Sequence, residues 1–477
     1  MIWLLILIPL LLAVAAAVTP SNRWRPFWVP VGGLAHLVVM GVAVGGGPAT
    51  VLRGWLALDA LGMLVLGFIS LLFFLCALYA PAYLALRPDR PNRVFCACLL
   101  TMLSMMSLVA LSHHLGLMWV GMEATTLATA PLLFFNHNAR SLEATWKYLL
   151  IGSVGIALAL LGSFFLAYSS LHEGLESTLL LDDLLELAPR LSVPWLHAAF
   201  VLLLVGYGTK MGLAPMHTWK PDAYGEAPGL AGALMAGGVT SCAFLAILRF
   251  YQICVAAGQA AFVREILIFV GLLSMAVGAV FMVRQRDFKR MLAYSSVEHM
   301  GILVLGIALG GLATYGALLH LITNGLTKGV LFLSAGNIHR AYDSKLTDDV
   351  RGAIRRLPVS GSLFLAGFLA VTGSPPGGPF ISEFTILCGA FNGGHFVVAT
   401  LFLLLLAMVF IGMGATVLRV VQGTPSAQAA ATDYQDRFRL VASPLILMCL
   451  VVLLGLVIPR PLDTLLRSAA ALLEVGI

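Results

Sequence analysis

Lys328 lies inside the apolar run LATYGALLHLITNGLTKGVLFLSA, residues 312–335, which is long enough to span a bilayer. A charge at that depth costs roughly 2.5–3.5 kcal/mol on insertion scales, so its presence suggests a use. Glu123, Lys210, Glu298 and Glu383 also sit inside or at the edge of apolar runs. Acids and bases held together at membrane depth mark ion or proton paths. The chemistry these residue types offer is therefore the movement of protons or small cations, and none of them is assigned a catalytic role.

On the run around Lys328, His320, Asn324 and Lys328 are spaced four apart. Eight residues advance only roughly 80° around a helix, so the three share one stripe, flanked by Thr323 and Thr327. Such a stripe can hold a file of water that exchanges protons with Lys328 and His320, or it can simply hydrogen-bond neighbouring helices. Glu123 and Lys210 are lone opposite charges in two other runs and are expected to face each other. That pair is either a switch that opens and closes or a static ion pair fixing helix register. Glu298 and His299 fall eight and nine residues after Arg290, roughly 12–14 Å into their helix. They point in different directions, so at most one should face the stripe, and His299 is the better relay candidate. Glu383 follows a Gly/Pro break by four residues and reads as a terminal proton site or as a first-turn acid complementing a helix dipole. His217, Asp222 and Glu226, in MHTWKPDAYGEAP, could form an uptake funnel, although loop capping would explain Asp222 equally well.

The elements that must position these groups follow from composition. The chain has 477 residues, 60% hydrophobic and 10% charged, with mean hydropathy +0.97. Soluble domains carry about 25% charged residues, so this is an all-α polytopic membrane protein. Apolar runs fall near 2–19, 27–46, 56–80, 94–112, 115–135, 146–170, 196–214, 228–252, 262–283, 290–310, 312–335, 359–390 (interrupted), 396–420 and 439–458, giving fourteen candidate helices. The remaining tail, 459–477, is short and amphipathic. No long polar segment is left for a soluble domain, and the net charge of +6 is spread over short loops. It reports topology and gives no sign of nucleic-acid binding. Residues 1–19 have the small-residue pattern of a cleavage region but no basic flank before Arg23, so they read as an uncleaved first helix.

Basic residues cluster after the odd-numbered runs, as in Arg87, Arg90 and Arg93 or RQRDFKR at 284–290. The positive-inside rule puts those loops in the cytoplasm and both termini outside. Two runs are broken alike, at Lys210-Met-Gly-Leu-Ala-Pro215 and at Gly373-Ser-Pro-Pro-Gly-Gly-Pro379, five helices apart. Paired breaks of this kind point to inverted repeats with the working site at the breaks, the alternative being two unrelated proline kinks. The seven cysteines are scattered. Cys96 and Cys98 stand roughly 200° apart on a helix, so no metal site is expected. The histidines show no paired pattern for haem. Phosphate-binding, dinucleotide and nucleophile-elbow motifs are missing, and no cofactor is expected in this chain.

Four segments, GYGTKMGLAPMHTWKPDAYGEAP (206–228), LAYSSVEHMGI (292–302), HLITNGLTKGVLFLSAGNI (320–338) and GSPPGGPFISEF (373–384), occur in order. Together they resemble the antiporter-like subunits of respiratory complex I, Mrp-type cation/proton antiporters and membrane-bound [NiFe]-hydrogenases. Within that family they look most like the F component of hydrogenase-4 and formate-hydrogenlyase-type complexes. The resemblance implies fourteen helices with two inverted five-helix repeats, the fourth to eighth and the ninth to thirteenth. The chain would then divide into 1–93, a first repeat at 94–252, a second repeat core at 253–395 and C-terminal helices at 396–477. It also implies proton transfer along a buried hydrophilic axis. Glu123 and Lys210 match the family's Glu–Lys pair, Lys328 its central lysine and Glu383 its exit residue. The implied partners are other membrane subunits and a peripheral [NiFe]-hydrogenase-like or related redox arm. The implied cargo is H⁺, with Na⁺ open, and the implied location is a bacterial or archaeal cytoplasmic membrane. Two features depart from the pattern: Asn324 stands where several relatives have a second histidine, and the run 228–252 offers only Thr240, Ser241 and Cys242 where many have a bridging base. The link from Lys210 to Lys328 should then rest on water or on His299. A Mrp-type antiporter subunit and a non-conducting structural subunit are the competing readings.

Overall fold

The computed structural model describes residues 1–425 and 434–474; the last three residues of the expected amphipathic tail lie outside them. Among the described residues, twelve helices are long and apolar enough to cross a membrane, and two shorter apolar helices, Leu4–Val18 and Pro358–Val371, accompany them. In hydrocarbon every backbone N–H and C=O must be satisfied within the segment, so these apolar runs become helices. We label the helices in chain order. Those that position the site are α3 (Ala60–Ala85), α5 (Leu115–Leu133), α6 (Ala139–His172), α8 (Val193–Met211), α9 (Trp219–Glu226), α10 (Gly229–Leu234), α11 (Thr240–Ala256), α12 (Ala260–Met282), α13 (Phe288–Leu309), α14 (Leu312–Tyr342), α16 (Pro358–Val371) and α17 (Gly378–Asn392).

Both expected breaks are present: α8 gives way to α9 across residues 212–218, and α16 to α17 across 372–377. Gly212 (φ +82°) and Gly373 (φ +70°) turn the chain at the start of each break in a left-handed conformation that favours glycine. The run 228–252 is continuous but not regular. A π-helical turn, Met235–Val239, joins α10 to α11, a device absent from the sequence reading and frequent at functional sites.

Burial sorts the helices. α13 and α14 are enclosed almost along their whole length, and so is the segment from α10 to α11. The outer helices Trp28–Gly45, α6 and Phe396–Val421 show leucine, valine and phenylalanine on their outward faces. Many of the buried polar side chains, among them Glu298, His299, His320, Asn324 and Lys328, lie in the enclosed set. Small residues let α10 approach α14 closely: a Cβ on Gly229 would stand 2.4 Å from the Phe332 carbonyl oxygen and 3.1 Å from Gly336 Cα.

The tail forms α20 (Arg460–Glu474), which docks Leu466, Ala469 and Leu473 against the bundle. Tyr315 donates to Asp463 Oδ1 at 2.7 Å and Gln252 to the Leu472 carbonyl at 3.1 Å. A small antiparallel hairpin, Ala49–Val51 with Leu56–Leu58, was not foreseen. It leads into Asp59, the N-cap of α3.

Asp59 accepts from the Gly62 N–H at 2.9 Å and holds Arg249 of α11 with two bonds of 2.7 Å. Burial pushes its carboxyl up, but the Arg249 guanidinium outweighs that and holds it well below the usual carboxylate range. The contribution to stability is therefore full above about pH 4 and is lost only as pH falls through the depressed folded value. Asp59→Asn keeps the cap but removes the charge that answers the buried guanidinium. It is expected to cost about 3 kcal/mol, read as a lowered unfolding midpoint in detergent at pH 7.

Candidate functional site

Glu123 on α5 and Lys210 near the end of α8 face each other, with Oε2 3.3 Å from Nζ. The lysine side chain is 1% exposed and the carboxylate 22%, so the pair opens to the surface on the Glu123 side. Ser153 of α6 donates to the other Glu123 oxygen at 3.2 Å. The ammonium also donates to Thr126 Oγ1 and lies 5.7 Å from the centre of the Tyr148 ring, a favourable cation–π distance. Room for the ammonium comes from Gly152, where an added Cβ would stand 2.8 Å from Nζ. Gly152→Ala is expected to push the ammonium aside. The weakened Glu123–Lys210 contact should be read as a lowered unfolding midpoint of the variant in detergent.

The break after α8 brings in a residue that sequence reading passed over. Lys220 of α9 is fully buried. Its Nζ turns back to donate to the Met211 carbonyl at 2.7 Å and lies 3.5 Å from the Ser296 carbonyl of α13. Its stem fills the space beside Gly212, where a Cβ would meet Lys220 Cδ at 2.6 Å. Among the described residues no carboxylate lies within 4.0 Å of this ammonium. Lys220 is within electrostatic reach of Lys328. The signal was a lysine following tryptophan in a glycine-opened break, hidden inside a motif read as a loop.

Beyond Lys220, α13, α14 and α17 meet around Lys328. Lys328 Nζ donates to Ser295 Oγ at 2.6 Å. His320 Nε2 and His299 Nδ1 are 3.0 Å apart, and His320 Nδ1 is 2.9 Å from Ser382 Oγ. Thr323 Oγ1 lies 3.2 Å from the same serine hydroxyl. Lys328 is also within electrostatic reach of Glu298 and Glu383. Asn324 is buried on the stripe, with its Oδ1 unpartnered. Of the two neighbours, His299 meets the stripe at His320, while the Glu298 stem lies against Gly278 of α12. Glu298 Oε2 comes within 3.3 Å of His299 Nε2, although neither atom is in hydrogen-bond geometry. Gly278 on α12 lets the Glu298 stem pack tightly there, and the long side chain reaches round the helix to its neighbour. The histidines are also paired across two helices after all. At 3.0 Å their nitrogens leave no room for a haem between them.

Glu383 is 4% exposed and is the sixth residue of α17, which removes the first-turn dipole reading. One of its oxygens abuts Gly373, where a Cβ would come within 2.4 Å, and the other has no protein partner. Buried oxygens of this kind take water or carry a proton. His299, His320 and Glu383 each offer a ligand atom within 4.8 Å of the others, a nitrogen-rich set that a cation could use. The nearby Lys328 opposes that whenever it is protonated.

The expected funnel residues take separate partners. Asp222 binds Lys147 at 2.9 Å and Arg290 at 3.1 Å, and Glu226 binds Lys345 at 2.5 Å. His217 stands near Tyr294, with 6.5 Å between ring centres and its Nδ1 unpartnered.

The family model described as NADH:quinone oxidoreductase/Mrp antiporter, TM, matches residues 112–409. The chain belongs to this family. It is 38% identical over 321 residues to a hydrogenase-4 component F homolog of Methylacidiphilum infernorum, covering 66% of each chain. It is 31% identical to NADH-quinone oxidoreductase subunit 14 of Thermus thermophilus, covering 94% of this chain and 98% of that one. In solved structures its fold matches a chain of the Mrp complex from Dietzia sp. with TM-score 0.85 at 20% identity, over 100% of this chain and 97% of that one. A chain of Thermus thermophilus complex I with bound NADH matches with TM-score 0.83 at 24% identity, over 99% and 100%. The protein is thus a multi-pass, antiporter-like membrane subunit, and it shares the fold of chains that sit in multisubunit membrane complexes.

Proposed function

We propose that this chain translocates protons as a membrane subunit of a hydrogenase-4- or formate-hydrogenlyase-like complex. The observation that carries the reading is the line of buried titratable groups through the enclosed helices. Glu123 and Lys210 stand at one end, Lys220 in the first break and Lys328 in the centre, followed by His299, His320, Glu298 and Glu383 at the second break. A proton moves along such a line by exchange between neighbouring bases and water, without any redox group in the chain. Partner subunits hold the redox centres, and their state reaches this chain as a shift in the Glu123–Lys210 pair. Separating that pair lets Lys210 release its proton towards Lys220. Asn324 and the hydroxyls around it order water along the stripe, and Glu383 hands the proton out. His217, Asp222 and Glu226 line the uptake side, with basic loops in the cytoplasm and both described ends of the chain outside. The likeness to the hydrogenase-4 component F homolog supports this particular complex.

A second reading, a Mrp-type cation/proton antiporter, is favoured by one feature. Glu383, Ser382 and Thr323 present oxygens of the kind that bind Na⁺. Acidification of inverted vesicles containing the assembled complex, driven by its electron donor, separates the two. Acidification of equal rate with and without Na⁺ is expected, and a strict Na⁺ requirement would favour the antiporter.

A further inference from the structure

A cavity of about 380 Å³ opens at the end of the bundle where α14 finishes and α13 begins. Seven charged side chains line it, Glu226 of the uptake side among them. Arg87, Arg140, Lys289, Arg340 and Lys345 face it against two acids, Glu226 and Asp343. One acid is already answered, since Lys345 binds Glu226 at 2.5 Å and Asp287 at 3.2 Å. Lys289 is 1% exposed, and its ammonium donates to the Ala227 carbonyl at 2.6 Å with no carboxylate within 4.0 Å among the described residues. A buried ammonium in a wall that already carries excess positive charge is costly unless an anion completes it.

The cations come from separate elements, and Arg87, which also stands 3.6 Å from Asp89, and Arg340 are held in place. Arg87 donates to Asn136 Oδ1 at 3.3 Å, with its guanidinium 5.5 Å from the centre of the Phe135 ring. Arg340 donates to the Leu86 carbonyl at 3.3 Å from the far wall. A planar carboxylate engages one guanidinium fork well, whereas a tetrahedral oxyanion can be approached from several sides at once. The volume suits a small headgroup, and the cavity lies at the level of the loops, where membrane phosphates are found.

We propose that this cavity is a binding site for a phosphate ester, the phosphate of an acidic phospholipid headgroup or a soluble phosphate. The test uses the full chain in its assembled, delipidated complex. Thermal-shift titrations are run with phosphatidylglycerol, phosphatidylcholine and inorganic phosphate, on wild type and on the double variant Arg140→Gln/Arg340→Gln. Arg87→Gln serves as a second variant should the double variant fail to assemble. A rise in melting temperature with phosphatidylglycerol but not phosphatidylcholine, its midpoint shifted at least about tenfold in the variant, supports the lipid source. The same loss seen with inorganic phosphate supports the soluble source. Equal responses of wild type and variants to every anion, or no response to any, overturn the proposal.

Discussion

Replacing Lys210 with methionine should lower proton translocation by the assembled complex on the order of a hundredfold, the scale of losing a positioned proton-transfer group. Methionine preserves much of the stem volume between Glu123, Thr126 and Tyr148, so packing is retained while the exchangeable proton is lost. A static ion pair would behave differently: its loss would lower stability and leave translocation in proportion to the folded fraction. The two roles separate further in the double variant. Glu123→Gln alone leaves a buried ammonium without its carboxylate, which is strongly destabilising in such sites. Adding Lys210→Met removes that ammonium, so the double variant should unfold at a higher temperature than Glu123→Gln alone while translocating no better. Coupling of this sort is expected for groups 3.3 Å apart.

The second large effect is at Lys220. Its ammonium is buried with carbonyl oxygens as hydrogen-bond partners and, among the described residues, no carboxylate within 4.0 Å, an arrangement that costs stability. Lys220→Met should therefore be neutral or stabilising, because an apolar side chain of similar reach replaces a desolvated charge. Translocation should nonetheless fall on the order of a hundredfold, because the proposed path from Lys210 to Lys328 loses its intermediate base. Stability held or raised with function lost is the signature of a lysine kept for proton transfer. A variant that translocates at the wild-type rate would return the link to water alone.

Much of this was legible in the sequence because the signals are local. Apolar runs gave the helices, glycine and proline gave both breaks, and lone opposite charges gave the Glu123–Lys210 pair. Spacing along a single helix put His320, Asn324 and Lys328 on one face. What stayed hidden depends on contact between helices. The meeting of His299 with His320, and of His299 with Glu298, depends on how α12, α13 and α14 pack, and in particular on Gly278 admitting the Glu298 stem. Lys220 was unreadable for a related reason: a short helix inside a break looks like loop in sequence, and only folding shows that it turns its lysine inward. The π turn before Thr240 and the Asp59–Arg249 clasp, 190 residues apart in the chain, leave no periodic trace. Two of the fourteen expected spans, Leu4–Val18 and Pro358–Val371, are shorter apolar helices. The second is cut short by the break that had already been recognised.

The most direct measurement is the number of protons moved per electron pair in inverted vesicles, wild type against Lys328→Ala, at matched redox turnover and with assembly verified by pull-down. Lys328 is fully buried and donates to Ser295, at the centre of the proposed path. The expected result is a ratio lowered by the full contribution of this subunit, with the complex intact. An unchanged ratio in an intact complex would contradict proton passage through this chain.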